Sequence, residues 1–132
     1  MKKFVFLSVI TLLFLSIKAN AQSNDPQNMQ VTVNQEAHYP AGDAALYQLI
    51  YSKLQYPEKP KGTLINGKVI LNFDVLPDST LNNIVVMQGV DDYIDNQIVN
   101  TFKQLKFAPS IQNHTPVKMN VMYTVQITKR YN

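Results

Sequence analysis

No cysteine occurs anywhere in the sequence. That excludes disulfides, so packing has to stabilise the fold. It also excludes thiolate metal sites and a lipid-anchored lipoprotein, which needs a cysteine after its leader. The two histidines, His38 and His114, stand far apart and have no partner cysteine, so no metal and no cofactor is expected. There are four glycines, and none forms part of a P-loop or a phosphate cradle. A serine nucleophile elbow is missing as well. Asp91, Asp92 and Asp95 lie close together. Helix capping by Asp92 and Asp95 accounts for them more simply than a catalytic carboxylate pair. Nothing in the sequence speaks for an enzyme.

Long apolar runs are scarce too. The one run, from Phe4 to Ile17, has 14 residues and is interrupted by Ser8, Thr11 and Ser16. As a helix it would reach roughly 21 Å, short of the ~30 Å bilayer core. Lys2 and Lys3 precede it, and Ala19-Asn20-Ala21 follows. This is the pattern of a secretory signal peptide over residues 1–21, cut between Ala21 and Gln22. An uncleaved short anchor is the alternative. Cleavage would take Lys2, Lys3 and Lys18 with it, and the net charge of +3 would fall to zero. The basic balance therefore gives no reason to expect nucleic acid as a partner. With no second apolar run, no membrane span is expected after cleavage.

What is present is one domain's worth of alternating periodicities. Residues 22–36 are a polar, flexible lead-in, with a possible short extra strand at Met29 to Val33. The domain proper is expected over 37–132. A helix is expected from Asp43 to Leu54, where Ala45, Leu46, Leu49 and Ile50 recur at helical spacing. Tyr39, Tyr47, Tyr51 and Tyr56 cluster around it and read as packing residues. From Ile65 to Val75 the period becomes two, with Val69, Leu71, Phe73 and Val75 on one face. Pro77-Asp78-Ser79 is turn chemistry. A second strand follows over 81–88, with Ile84 and Val86 inward. A second helix is expected from Asp92 to Lys106, and Phe107-Ala108-Pro109 ends it. The last strand, Val117 to Thr128, alternates without a break. The predicted fold is α+β: two helices on one face of a three-stranded antiparallel sheet, in the order helix-strand-strand-helix-strand. The first strand takes the centre, and the last strand keeps a free edge.

The ordered set YPAGDAALYQLIYSKLQYP, INGKVILNFDVLPDSTLNNIVVMQG, DDYIDNQIVNTFKQLKFAP and PVKMNVMYTVQI resembles the C-terminal domain of bacterial TonB energy transducers. The resemblance implies the same helix and strand arrangement. It also implies a periplasmic module that takes up a short peptide of a TonB-dependent outer-membrane receptor as an added strand beside its last strand. By that resemblance Lys118, Asn120, Met122, Thr124 and Gln126 are the candidate peptide-reading side chains. Two departures stand out. Ser79 occupies a turn position where the family usually has glycine, and Phe107 one where tryptophan is frequent. The segment Lys2 to Ala21 lacks the histidine of a transducer's membrane helix, and the seven prolines are scattered rather than gathered into a spacer. Two functions therefore stay open: a receptor-peptide binding module, or a structural envelope protein that forms a homodimer through its last strand. The leader reading has a direct check. N-terminal sequencing of the periplasmic fraction is expected to return a chain that starts at Gln22.

Overall fold

The computed structural model describes residues 32–132. The leader, its expected cleavage site and most of the polar lead-in lie outside the described residues. The elements run β1 (Val33–Gln35), α1 (Asp43–Lys53), β2 (Leu64–Val75), β3 (Leu81–Gln88), α2 (Asp92–Lys103), β4 (Ser110–Gln112), β5 (Thr115–Val117) and β6 (Met119–Arg130). The main sheet has the order β3-β2-β6, and both pairings are antiparallel. This is the expected three-stranded sheet with the first long strand at its centre.

The alternation read in the sequence places the core. Val69, Leu71, Phe73 and Val75 of β2 and Tyr123, Val125 and Ile127 of β6 are buried on one face. Leu46 and Ile50 of α1 and Ile94, Ile98 and Phe102 of α2 close over them. The centre of this layer is aromatic. Phe73 lies 5.4 Å from both Phe102 and Phe107, and Phe102 lies 5.7 Å from Tyr123, measured between ring centroids. Such tilted pairs add roughly 0.5–1.5 kcal/mol each beyond the area they bury. Gly67 lies on the same face of β2, where a Cβ would come within 2.8 Å of Val90 Cγ1. Glycine here lets the chain pass close over the sheet on its way into α2.

Three local details differ from the sequence reading. The cap of α2 is Asp91, not Asp92: its backbone is extended, and its carboxylate accepts from the Tyr93 N–H at 3.0 Å. Asp92 already has helical conformation, and Asp95 accepts from the Val90 N–H at 3.1 Å. The helix ends at Lys103, one turn before Phe107. The chain must turn there so that the Phe107 ring can enter the core and its N–H can donate to the Ser79 carbonyl at 3.0 Å. The last strand is also not continuous from Val117. Thr115–Val117 belongs to a second, small sheet with the order β1-β4-β5, and β6 starts at Met119. The link between β4 and β5 is a two-residue turn, with Asn113 at φ 48° and His114 at φ 63°. Two residues at positive φ are what a type I′ hairpin requires.

Ser79 holds the position that usually carries glycine, and it adopts the glycine conformation with φ 76°. The turn is fixed around it. Its N–H donates to the Leu76 carbonyl at 2.9 Å, and Thr80 donates to Asp78 from both its N–H and its hydroxyl. These two bonds hold the Asp78 carboxyl below the usual carboxylate range. A side chain in left-handed conformation costs on the order of 1–2 kcal/mol, and glycine returns part of that gain as unfolded-state entropy. Ser79→Gly is therefore expected to raise unfolding stability by about 0.5–1 kcal/mol, read as a higher urea midpoint with an unchanged slope.

Candidate functional site

β6 pairs with β2 over twelve consecutive positions, from Leu64↔Arg130 to Val75↔Met119, and it forms one edge of the main sheet. In an antiparallel ladder the opposed residues alternate between those that bond to each other and those whose main-chain groups face away. The carbonyls of Thr124 and Gln126 accept bonds from α1, so the even-numbered residues of β6 turn their N–H and C=O groups outward. The same residues carry their side chains on the sheet face away from the helices. The sequence-predicted set thus divides by geometry. Lys118 stands in the break between β5 and β6 and belongs to neither strand. Asn120, Met122, Thr124 and Gln126 lie in register along one face of β6.

Their side chains are not equally free. Asn120 exchanges amide bonds with Asn72 at 2.8 and 2.9 Å and donates to Asp74 at 2.9 Å. Asn83 donates to the other oxygen of Asp74 at 2.9 Å. These donors hold the Asp74 carboxyl below the usual range. Gln126 donates to the Gly67 carbonyl at 2.9 Å. Met122 is 61% exposed. With Ile70, Val85 and Met87 it places apolar surface on the outer face of the sheet.

Nothing in the sequence pattern reveals what happens at the edge itself. The Tyr47 hydroxyl donates to the Thr124 carbonyl at 2.9 Å, and the Tyr51 hydroxyl donates to the Gln126 carbonyl at 2.6 Å. The two rings stack at 6.2 Å, one helical turn apart on α1. Their spacing of four matches the spacing of two on the strand: one helical turn rises ~5.4 Å, and two strand residues rise ~6.7 Å. Tyrosines at this interval were legible as packing residues, but their bonding to β6 depends on how α1 lies against the sheet. They close the C-terminal half of the edge and leave the half around Asn120 and Met122 open.

The open half borders a cleft of about 560 Å³ between residues 35–39, the start of α1 and β6 residues 121–124. Tyr39, Tyr47, Phe107 and Tyr123 supply aromatic surface there, and Glu36 and Asp43 supply carboxylates. Tyr123 is 9% exposed, and its hydroxyl has no hydrogen-bond partner. Burial and the neighbouring Tyr47 and Asp43 push its ionisation well above the usual range. Among the described residues no group of three histidine, cysteine, aspartate or glutamate side chains is placed to hold a metal. No helix among them is long and apolar enough to cross a membrane.

The sequence model of the Gram-negative bacterial TonB protein C-terminal domain matches residues 52–128. The chain belongs to the TonB C-terminal domain family. As a TonB-like domain it is a receptor-interacting module of a family that works in the periplasm. The solution structure of the TonB C-terminal domain of Helicobacter pylori is similar, with 18% identity, a TM-score of 0.44, and coverage of 67% of this chain and 82% of that one. Comparison with curated proteins found no match. The matched segment of this TonB-like domain holds β2, β3, α2 and all of β6 but its last two residues. It leaves out β1, Asp43, Tyr47 and Tyr51, so the carboxylates and tyrosines along the edge come from the chain's own N-terminal part.

Each tyrosine–carbonyl bond is worth about 0.5–1.5 kcal/mol net, less where water competes. Tyr47→Phe is expected to lower unfolding stability by about 1 kcal/mol, and the more exposed Tyr51→Phe by about half that. Urea denaturation of the two variants checks both values.

Proposed function

We propose that this domain binds an extended peptide segment of a TonB-dependent outer-membrane receptor, in the periplasm after export, by adding it as a strand to β6. The observation that supports this reading is the edge of β6, with the main-chain groups of Asn120 and Met122 facing away from β2 beside an open cleft. An unpaired strand edge offers a ready row of donors and acceptors to a second chain. Main-chain bonds would supply the affinity. Met122, Thr124 and the outer sheet face would contact alternate side chains of the peptide.

The tyrosine bonds set the length of the pairing. An added strand can bond at Asn120 and Met122 without disturbing α1. Extending it past Thr124 means exchanging the two hydroxyls for peptide N–H groups. That exchange is close to neutral in bond number, so the edge is guarded against chance pairing without being sealed. A flat, bare edge of twelve residues would invite self-association.

The test is a titration of the ¹⁵N-labelled protein with synthetic peptides from the N-termini of TonB-dependent receptors. Saturable shifts are expected at the amides of Asn120, Met122 and Thr124, with small changes on β3. Binding that leaves β6 unmoved would overturn the site. A peptide-insensitive dimer whose interface is β6 would replace the reading with the structural one.

A further inference from the structure

The cleft beside the open half of β6 has a composition that selects among ligands. Glu36 and Asp43 bring two carboxylates to its rim, no lysine or arginine lines it, and His38 is the one lining side chain that can take a positive charge. Among the described residues the one ion pair is Lys59–Asp91, so neither rim carboxylate has a cation on it. The N-terminus of α1 opens here as well, but a helix end carries only about half a positive charge against two negative ones. The walls are aromatic, from Tyr39, Tyr47, Phe107 and Tyr123. Ring faces attract cations, most strongly where water is partly excluded. At the floor Tyr123 is nine-tenths buried, and its hydroxyl lies close to Tyr47 and Asp43 without a well-formed hydrogen bond to either. A buried hydroxyl without a well-formed partner is destabilising. A donor that enters the cleft and bonds the phenol oxygen would remove that cost.

The register supplies the occupant. Cross-strand neighbours point their side chains to the same face of a sheet. A residue of a strand added beside β6, opposite Tyr123, therefore points toward the helices and into this cleft. We propose that the cleft receives one basic side chain, arginine or lysine, carried by the added strand opposite Tyr123. The cation would lie between the Glu36 and Asp43 carboxylates with its stem along the rings, and one N–H would reach the Tyr123 oxygen. This inference rests on strand addition at β6 for the register, while the cation site itself does not depend on it.

Two probes separate the two ideas. The first is a set of seven-residue peptides, acetyl-Thr-Val-Thr-X-Thr-Val-Thr-amide, with X as arginine, lysine, norleucine or glutamate. The second is N-acetyl-arginine methylamide against its norleucine analogue. Both are titrated into the ¹⁵N-labelled protein at low ionic strength. The arginine and lysine peptides are expected to bind about tenfold more tightly than the norleucine peptide, and the glutamate peptide more weakly than any. Asp43→Asn is expected to remove most of that preference and leave the norleucine peptide's affinity unchanged. Tyr123→Phe, which deletes a hydroxyl without a well-formed hydrogen bond and keeps the ring, is expected to fold normally and to reduce the preference severalfold. Equal affinity for all four peptides, with shifts along β6, would overturn the cation cleft and leave strand addition standing. Shifts at Asp43, Tyr47 and Tyr123 with the arginine methylamide alone, and no peptide binding, would support the cation site and overturn strand addition. Arginine and norleucine probes that behave alike in both series would overturn the proposal.

Discussion

The ladder between β2 and β6 is the constraint on which the other elements depend. It runs for twelve pairs without a bulge, so every odd residue of both strands faces the same side. A one-residue slip would send Val69, Leu71, Phe73, Val75, Tyr123, Val125 and Ile127 into water and bring Asn72, Asp74 and Asn120 inside. That penalty fixes the register, and the register fixes where α1 and α2 pack. β3 contributes differently. It joins β2 only from Ile70 onward, and its pairing with β2 shifts register twice. One shift accompanies Asn83 at φ 52°. A short, bulged strand makes a poor template for another chain, so the two edges of the sheet are unequal.

Because β2 holds β6 through the odd residues, the even residues of β6 face outward along the edge. α1 then answers part of that edge with two tyrosines. A helix laid along an edge strand usually covers it with apolar side chains. Here it supplies hydroxyls, which satisfy two carbonyls while leaving the neighbouring amides unbonded to α1. The result is an edge closed at Thr124 and Gln126 and open at Asn120 and Met122. The open part lies beside the cleft that Glu36, Asp43 and Tyr123 give a negative and aromatic character. A TonB-like main sheet is thus combined with an N-terminal segment that shapes one end of its β6 edge.

The small sheet β1-β4-β5 has a mechanical consequence for the same place. It takes Val117 out of line with β6, and the isolated bridge between His38 and Ala108 continues the pairing of β1 with β4. The segment that carries Glu36 and Tyr39 is tied down by this sheet, with the Gln35 amide and the Ser110 hydroxyl adding bonds at 3.0 and 3.1 Å. Without those ties the residues before α1 would have few reasons to stay beside β6, and the cleft would have one wall fewer.

The sequence by itself determined the order and type of the main elements. Their apolar periods are long enough to be unambiguous, and a buried sheet face admits one register. It also determined the central place of β2, because a helix between the second and third main strands returns the chain to the starting end. The Asn113-His114 turn was legible in principle, since two residues that tolerate positive φ separate two short extended runs. Helix ends were less legible: at Asp91 and Lys103 the boundary follows from which carboxylate reaches an N–H and which ring reaches the core. What only the tertiary structure decided is the character of the edge. Tyr47 and Tyr51 have no reason in their own neighbourhood to seek Thr124 and Gln126, which lie more than seventy residues away in the chain. Hydroxyl-to-carbonyl bonding needs a fit of a few tenths of an ångström, and that fit comes from the packing of Leu46 and Ile50 on the sheet. Periodicity tells which face of α1 is buried; the buried face then sets how its flanking tyrosines meet the strand.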